Sequence, residues 1–264
     1  MCSMNTQNKS KINKVLTEWP PHGGMVTQKW LTQKGVSRFL ARTYVKSGWL
    51  KSAGGGAFYK TEGRVEPLWP GGLYTLQQQL RLPIHAGGET ALRWHGYGHT
   101  AQMNSIPSVY LFGPQGVKPP SWFLKFNWAN KIQYQTTDFL PYKKEFGFTK
   151  DEMAGITLSS PERAMFETLL LMPSHSTFEG AFHLMEGLST LRPDLVTTLL
   201  KACQSVKVKR CFLYMAEQAN HAWFKELNLS KVKLGKGKRV VVPGGTFDSK
   251  YQITVPTKSF VTIP

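Results

Sequence analysis

Ile12, Val15 and Leu16 recur at i, i+3 and i+4, the spacing of one helical face, and Ser10 stands where an N-cap would stand. Trp19-Pro20-Pro21-His22-Gly23-Gly24 ends that helix, because paired prolines and glycines cannot continue one. Thr27 is placed to cap a second helix, with Val26 able to staple onto Leu31, and Gly35 stops it. Ser37 caps a third helix, which runs to Ser47 before Gly48. The connection between the second and third helices is short and contains Gly35, the spacing of a helix-turn-helix. Trp49-Leu50-Lys51-Ser52 and Ala57-Phe58-Tyr59-Lys60 read as two short strands around Gly54-Gly55-Gly56. Three helices followed by a hairpin make the plan of a winged helix-turn-helix.

Pro67, Pro70 and Gly71-Gly72 mark 61–72 as a linker. Beyond it, helices are expected over 73–80 and 89–94 and strands over 83–85, 109–112 and 156–158, with an aromatic-rich strand and loop over 119–137. Ser160 caps a helix whose first residue is Pro161, where a missing N–H costs nothing. Helical pattern then covers 161–172, 178–188, 193–203 and 206–218, and strands close the chain at 239–242 and 251–255. The expected fold class is mixed α+β: a winged helix-turn-helix over 1–66 and a larger α/β unit over 67–264.

Composition narrows the partners. Hydrophobic residues are 41% of the chain, enough for a packed core, and no run approaches about 18 apolar residues, so no membrane helix is expected. The polar start lacks the apolar stretch of a secretory signal, and Cys2, Cys203 and Cys211 form no Cys-x-x-Cys pair, so a reducing, cytoplasmic setting is expected. The 33 Lys+Arg against 16 Asp+Glu leave +17, a charge that suits a polyanion. Residues 1–66 hold 11 basic and 3 acidic side chains, net +8, the densest share, which puts nucleic acid first among partners.

The third helix concentrates the chemistry. Arg38, Arg42 and Lys46 are four apart and line one face; Leu40 and Tyr44 line another and can pack inward. Such a helix fits a major groove, where Arg contacts guanine bidentately and Lys, Ser37 and Thr43 reach phosphates. The wing offers Lys51 and Lys60, with Gly55 at a tip whose backbone N–H groups can approach phosphate. With Thr27 and Gln28 at the start of the second helix, these residues form the expected DNA-binding set. A merely solvated basic face is the other reading of the stripe.

Two further basic groups, Lys207, Lys209 and Arg210, and Lys236, Lys238 and Arg239, suit a second basic surface for phosphates or an acidic protein face. Exposed turns would look the same. Gly87-Gly88-Glu89-Thr90 has half the glycines of a phosphate loop and none of its lysine, so it reads as a helix start. His95 and His99 have metal-like spacing but no adjacent Cys or Asp, and read as structural. Cys203 and Cys211 lie on apolar helical stretches and read as core. No catalytic residue, metal or cofactor is expected; His85, His95, His99 and Ser160 are the polar groups on which an enzymatic reading would have to rest.

Many short segments in one order resemble the AbiEi family of type IV toxin–antitoxin antitoxins and transcriptional regulators. They include Val36-Ser37-Arg38, Tyr44-Val45-Lys46-Ser47-Gly48-Trp49-Leu50, Gly72-Leu73-Tyr74-Thr75-Leu76-Gln77, His85-Ala86-Gly87-Gly88-Glu89-Thr90-Ala91-Leu92, Ser205-Val206-Lys207-Val208-Lys209-Arg210, Leu234-Gly235-Lys236-Gly237-Lys238-Arg239 and Tyr251-Gln252-Ile253-Thr254-Val255-Pro256. Ala86 stands where the family pattern has Val, and Thr100 where it has an aromatic. The resemblance implies a non-enzymatic antitoxin that binds double-stranded operator DNA at inverted repeats and represses its own operon. It also implies a cognate nucleotidyltransferase-like toxin, countered without a required stable complex. A nucleic-acid-acting enzyme and a regulator without a toxin are the alternatives.

Overall fold

A computed structural model describes residues 6–20, 23–61, 66–98 and 106–257. Cys2, His22 and His99, and residues 62–65 of the expected linker, lie outside these.

The N-terminal unit has three helices, α1 (Thr6–Thr17), α2 (Gln28–Gln33) and α3 (Arg38–Lys46), and three strands, β1 (Val26–Thr27), β2 (Leu50–Gly54) and β3 (Ala57–Lys60). The strands form an antiparallel sheet ordered β1-β3-β2, so the hairpin is the wing of a winged helix-turn-helix. Thr27 and Ser37 do cap α2 and α3: Trp30 N–H donates to Thr27 Oγ1 and Leu40 N–H to Ser37 Oγ, both at 3.2 Å. Ser10 does not cap; α1 begins at Thr6, four residues earlier.

Both helices of the turn end the same way. Gly35 and Gly48 each take φ of +78°, and the next N–H reaches back to a carbonyl of the last turn, Val36 to Leu31 and Trp49 to Tyr44, each at 2.9 Å. The Gly35 stop makes the turn from α2 into α3, and the Gly48 stop turns the chain from α3 into β2. Ile12, Val15, Val26, Leu31, Val36, Leu40, Tyr44, Leu50 and Phe58 make the small core they enclose.

The larger unit is built on a five-stranded mixed sheet ordered β6-β5-β4-β8-β7, from β4 (His85–Ala86), β5 (Val109–Gly113), β6 (Ile132–Thr136), β7 (Phe148–Asp151) and β8 (Ile156–Ser159). Around it pack α4 (Trp69–Tyr74), a π-helical turn (Thr75–Gln79), α5 (Gly88–Trp94), α6 (Ser121–Lys125), α7 (Pro161–Leu170), α8 (Phe178–Gly187), α9 (Pro193–Ala202) and α10 (Val206–Gln218). A small sheet ordered β10-β11-β9, from β9 (Arg239–Val240), β10 (Thr246–Asp248) and β11 (Ile253–Val255), closes the described chain. Among the described residues no helix is long and apolar enough to cross a membrane.

The linker expectation is corrected over 69–72, which lie in α4. Gly71 and Gly72 are buried inside α4, and a Cβ on Gly72 would come within 2.4 Å of the Trp128 ring. These glycines serve close packing, not a flexible tether. The two units also share core and hydrogen bonds. Met25 and Ala57 belong to the larger hydrophobic cluster. Thr75 Oγ1 donates to Met25 O at 2.6 Å, Gln79 Nε2 donates to Met25 O at 3.1 Å, and Thr27 N–H donates to Gln79 Oε1 at 2.9 Å.

Candidate nucleic-acid interface

Helix α3 turns Leu40, Ala41 and Tyr44 into the small core, so its opposite arc faces solvent. That arc carries Arg38, Arg42 and Lys46, all exposed. No ion pair or hydrogen bond from these three side chains to another described residue is found, so their charge is not cancelled locally. Helix α3 has no acidic residue in its first turn, and the arc presents a single sign of charge.

Arg38, Arg42, Val45 and Lys46 form one side of a cleft of about 790 Å³. Thr27, Gln28 and Lys29 at the start of α2, Ser52, Gly55, Gly56 and Phe58 of the wing, and Leu80, Pro120 and Trp122 of the larger unit complete it. The larger unit therefore walls the cleft without covering α3. Lys29 is exposed and was not among the expected contacts; a lone Lys after an N-cap carries no signal until the fold sets it beside α3.

Thr27 and Gln28 also line the cleft, but their polar groups are engaged within the protein, and Ser37, Thr43, Lys51 and Lys60 do not line it. Thr27 is buried, its hydroxyl capping α2 and donating to Gln79 Oε1 at 3.1 Å. Gln28 donates its amide to Thr32 Oγ1 and Val36 O, each at 3.2 Å. Thr43 donates its hydroxyl to Phe39 O at 3.2 Å. Lys51 lies over the Tyr59 ring, and neither it nor Lys60 lines the cleft. Lys60 turns back onto α1, over Trp19 at 5.7 Å from the ring centre, with its Nζ 3.5 Å from Leu16 O. Register explains this: Lys60 stands opposite Leu50, on the sheet face that packs on the helices. Ser37 is exposed, and its oxygen accepts the Leu40 N–H.

The second basic surface is corrected in half of its members. Lys209 and Arg210 are buried, and Lys207 donates to Met172 O at 2.6 Å. Arg210 donates to the carbonyls of Leu234, Gly235, Gly237 and Gln252, while Lys209 donates to that of Lys233. These cations staple the 233–239 segment to α10, and carbonyl dipoles replace water around them. Lys236, Lys238 and Arg239 remain exposed on that segment, with Lys238 Nζ 4.7 Å from the centre of the Phe247 ring.

Of the polar groups behind an enzymatic reading, His85 and Ser160 are buried, and His95 is half-buried. Glu167 accepts from His85 Nε2 at 2.8 Å, Arg163 Nε at 2.8 Å, Ser159 Oγ at 2.7 Å and Gly88 N–H at 3.0 Å. Burial opposes its ionisation, but His85, Arg163 and Ser159 outweigh it and hold the carboxyl at about 2. The carboxylate thus sits at the start of α5, where a phosphate loop would hold phosphate. Burial pushes His85 below its ordinary value. Its Nδ1 meets no partner among the described residues, which suits the neutral imidazole: a protonated ring would leave a buried N–H without an acceptor. His95 engages Ser159 O at 3.0 Å. Ser160 holds the N-cap position of α7, but its hydroxyl makes no capping bond. Burial pushes the Cys203 thiol up to about 11 and Cys211 to about 12, which keeps both protonated and unreactive.

Comparison with known proteins gives the geometry a context. Residues 107–256 match a family model described as transcriptional regulator, AbiEi antitoxin, type IV TA system. Residues 8–103 match a model described as transcriptional regulator, AbiEi antitoxin N-terminal domain. Among curated proteins none matches in sequence. The crystal structure of the RV2827C protein from Mycobacterium tuberculosis superposes with a TM-score of 0.65 over 95% of this chain and 92% of that one, at 13% identity, a likeness of fold.

Proposed function

We propose, since this chain belongs to the AbiEi family of antitoxin transcriptional regulators of type IV toxin–antitoxin systems, that α3 binds duplex operator DNA in the major groove and represses the chain's own operon. The observation that carries this is the uncancelled row Arg38, Arg42 and Lys46, fronting an open cleft. Arg38 and Arg42 read base edges, whereas Ser37, Lys46 and Lys29 hold phosphates. One copy sits on each half of an inverted repeat. The N-terminal unit, over 1–66, carries DNA binding. The larger unit, over 67–264, counteracts a nucleotidyltransferase-like toxin, and the exposed cations Lys236, Lys238 and Arg239 are its candidate contacts.

The test is equilibrium binding of the Arg38→Ala/Arg42→Ala/Lys46→Ala chain to DNA from upstream of its operon, at two salt concentrations. Affinity should collapse and the salt dependence should flatten by about one unit, the share of the phosphate contact that Lys46 makes. Unchanged affinity removes the assignment. Co-expression with the neighbouring gene tests the antitoxin role. A toxic neighbour that this chain silences supports it, and a harmless one leaves a plain regulator.

A further inference from the structure

Phe39 is the anomaly of α3. It is 80% exposed, although it sits in the first turn of a well-capped helix beside a core that could have taken it. At about 100° per residue, it falls within the arc bounded by Arg38 and Arg42 on one side and Thr43 on the other. It does not line the cleft; it stands on the crest of the helix, outside the wall that Arg38, Arg42 and Lys46 make. A helix entering a major groove presents that crest to the groove floor. Thr43, one turn on, gives its hydroxyl to Phe39 O, so the crest at 39 and 43 offers the groove no free hydroxyl hydrogen. A charged helix that carries an exposed aromatic at its leading turn has an apolar contact to make.

On the floor of the major groove only one natural base offers an apolar group, the C5-methyl of thymine. We infer that Phe39 is a specificity-determining residue that packs on a thymine methyl next to the bases addressed by Arg38 and Arg42. This rests on the reading that α3 lies in the major groove. It assigns the helix two kinds of readout: guanidinium groups for acceptor edges and a ring for a methyl. It also favours DNA over RNA, since uracil lacks the methyl and the A-form major groove is too narrow for a helix.

Deoxyuridine tests it directly, because it deletes that methyl and keeps the base pair. A duplex is first selected from a random pool by the full-length wild-type chain. Each thymine in it is then replaced, one at a time, by deoxyuridine. Wild-type protein should lose about three- to fivefold in affinity at one thymine, or at one symmetric pair, the scale of a methyl removed from an apolar contact. Phe39→Ala should bind the thymine duplex as weakly as wild type binds the deoxyuridine duplex, and should no longer distinguish the two. Equal wild-type binding to every deoxyuridine duplex overturns the inference without any variant having to fold, and leaves the DNA-binding reading standing. A Phe39→Ala chain that still discriminates overturns it too, since another residue then reads the methyl. Selection that enriches no duplex overturns this inference and the DNA-binding reading together.

Discussion

Gly55, at the tip of the wing, lies against Trp122 of the larger unit: a Cβ built on Gly55 would stand 3.3 Å from the Trp122 Cβ. The wing is therefore propped at its tip by a residue of the other unit. Gly55 also holds φ at +54°, a conformation that costs an L side chain about 1–2 kcal/mol. Gly55→Ala should lower stability by about that amount and weaken DNA binding severalfold, as the displaced tip reshapes the cleft. Urea unfolding and binding titrations measure the two; unchanged values in both would mean the brace has slack.

Single substitutions on α3 should separate its roles. Arg38→Ala or Arg42→Ala should cost about 1–3 kcal/mol on the preferred duplex and much less on random DNA. Lys46→Ala should weaken both duplexes alike and lower the salt slope by about one unit. Lys60→Ala should leave affinity unchanged, because its ammonium is turned onto Trp19 and Leu16 O. A binding loss in Lys60→Ala equal to that in Lys46→Ala would show that the wing swings out on DNA.

Arg210 should matter to folding instead of recognition. Its guanidinium donates to four carbonyls between Leu234 and Gln252. Arg210→Met strips those carbonyls of their donors and should cost about 3 kcal/mol or more, released first as loss of hydrogen-exchange protection around β9 and β11. Wild-type protection there in the variant would place the anchorage of this segment elsewhere.

Stability should fall with acid in two steps. Folded His85 is held below its ordinary 6.5, so the unfolded chain takes up a proton the folded one refuses. Stability is then full above about pH 6.5 and declines below it, by about 1.4 kcal/mol per pH unit. Folded Glu167 is held at about 2 against an ordinary 4.5, so its contribution is present above pH 4.5 and fades as pH falls towards 2. His85→Gln should flatten the limb between pH 6.5 and 4.5 and also shrink the one below, because Glu167 loses one of the groups that hold it ionised. Urea midpoints across that range measure it; an unaltered limb in His85→Gln would assign the proton to another group.

Much of this architecture is legible along the chain, for local reasons. Thr27, Ser37, Gly35 and Gly48 act within a few residues of themselves, so caps and stops state where α2 and α3 begin and end. Period-four spacing likewise places Arg38, Arg42 and Lys46 on one face, because helix geometry fixes it without help from the rest of the molecule. The four helices of 161–218 follow from the same periodicity. The short strands β7 and β10 have no such pattern and exist only through their partners, β8 and β11.

Tertiary structure decided which charges are free. Nothing in Ser205-Val206-Lys207-Val208-Lys209-Arg210 says that two of three cations go inside; the carbonyls that receive them come from 24 or more residues away. Glu167 is a helical carboxylate by sequence and becomes the hub of a buried network because His85 and Gly88, 82 and 79 residues earlier, fold against it. Local rules set the shape of each element. Burial and desolvation, which depend on what packs across from a side chain, set whether its charge is taken up by the fold or left for a partner.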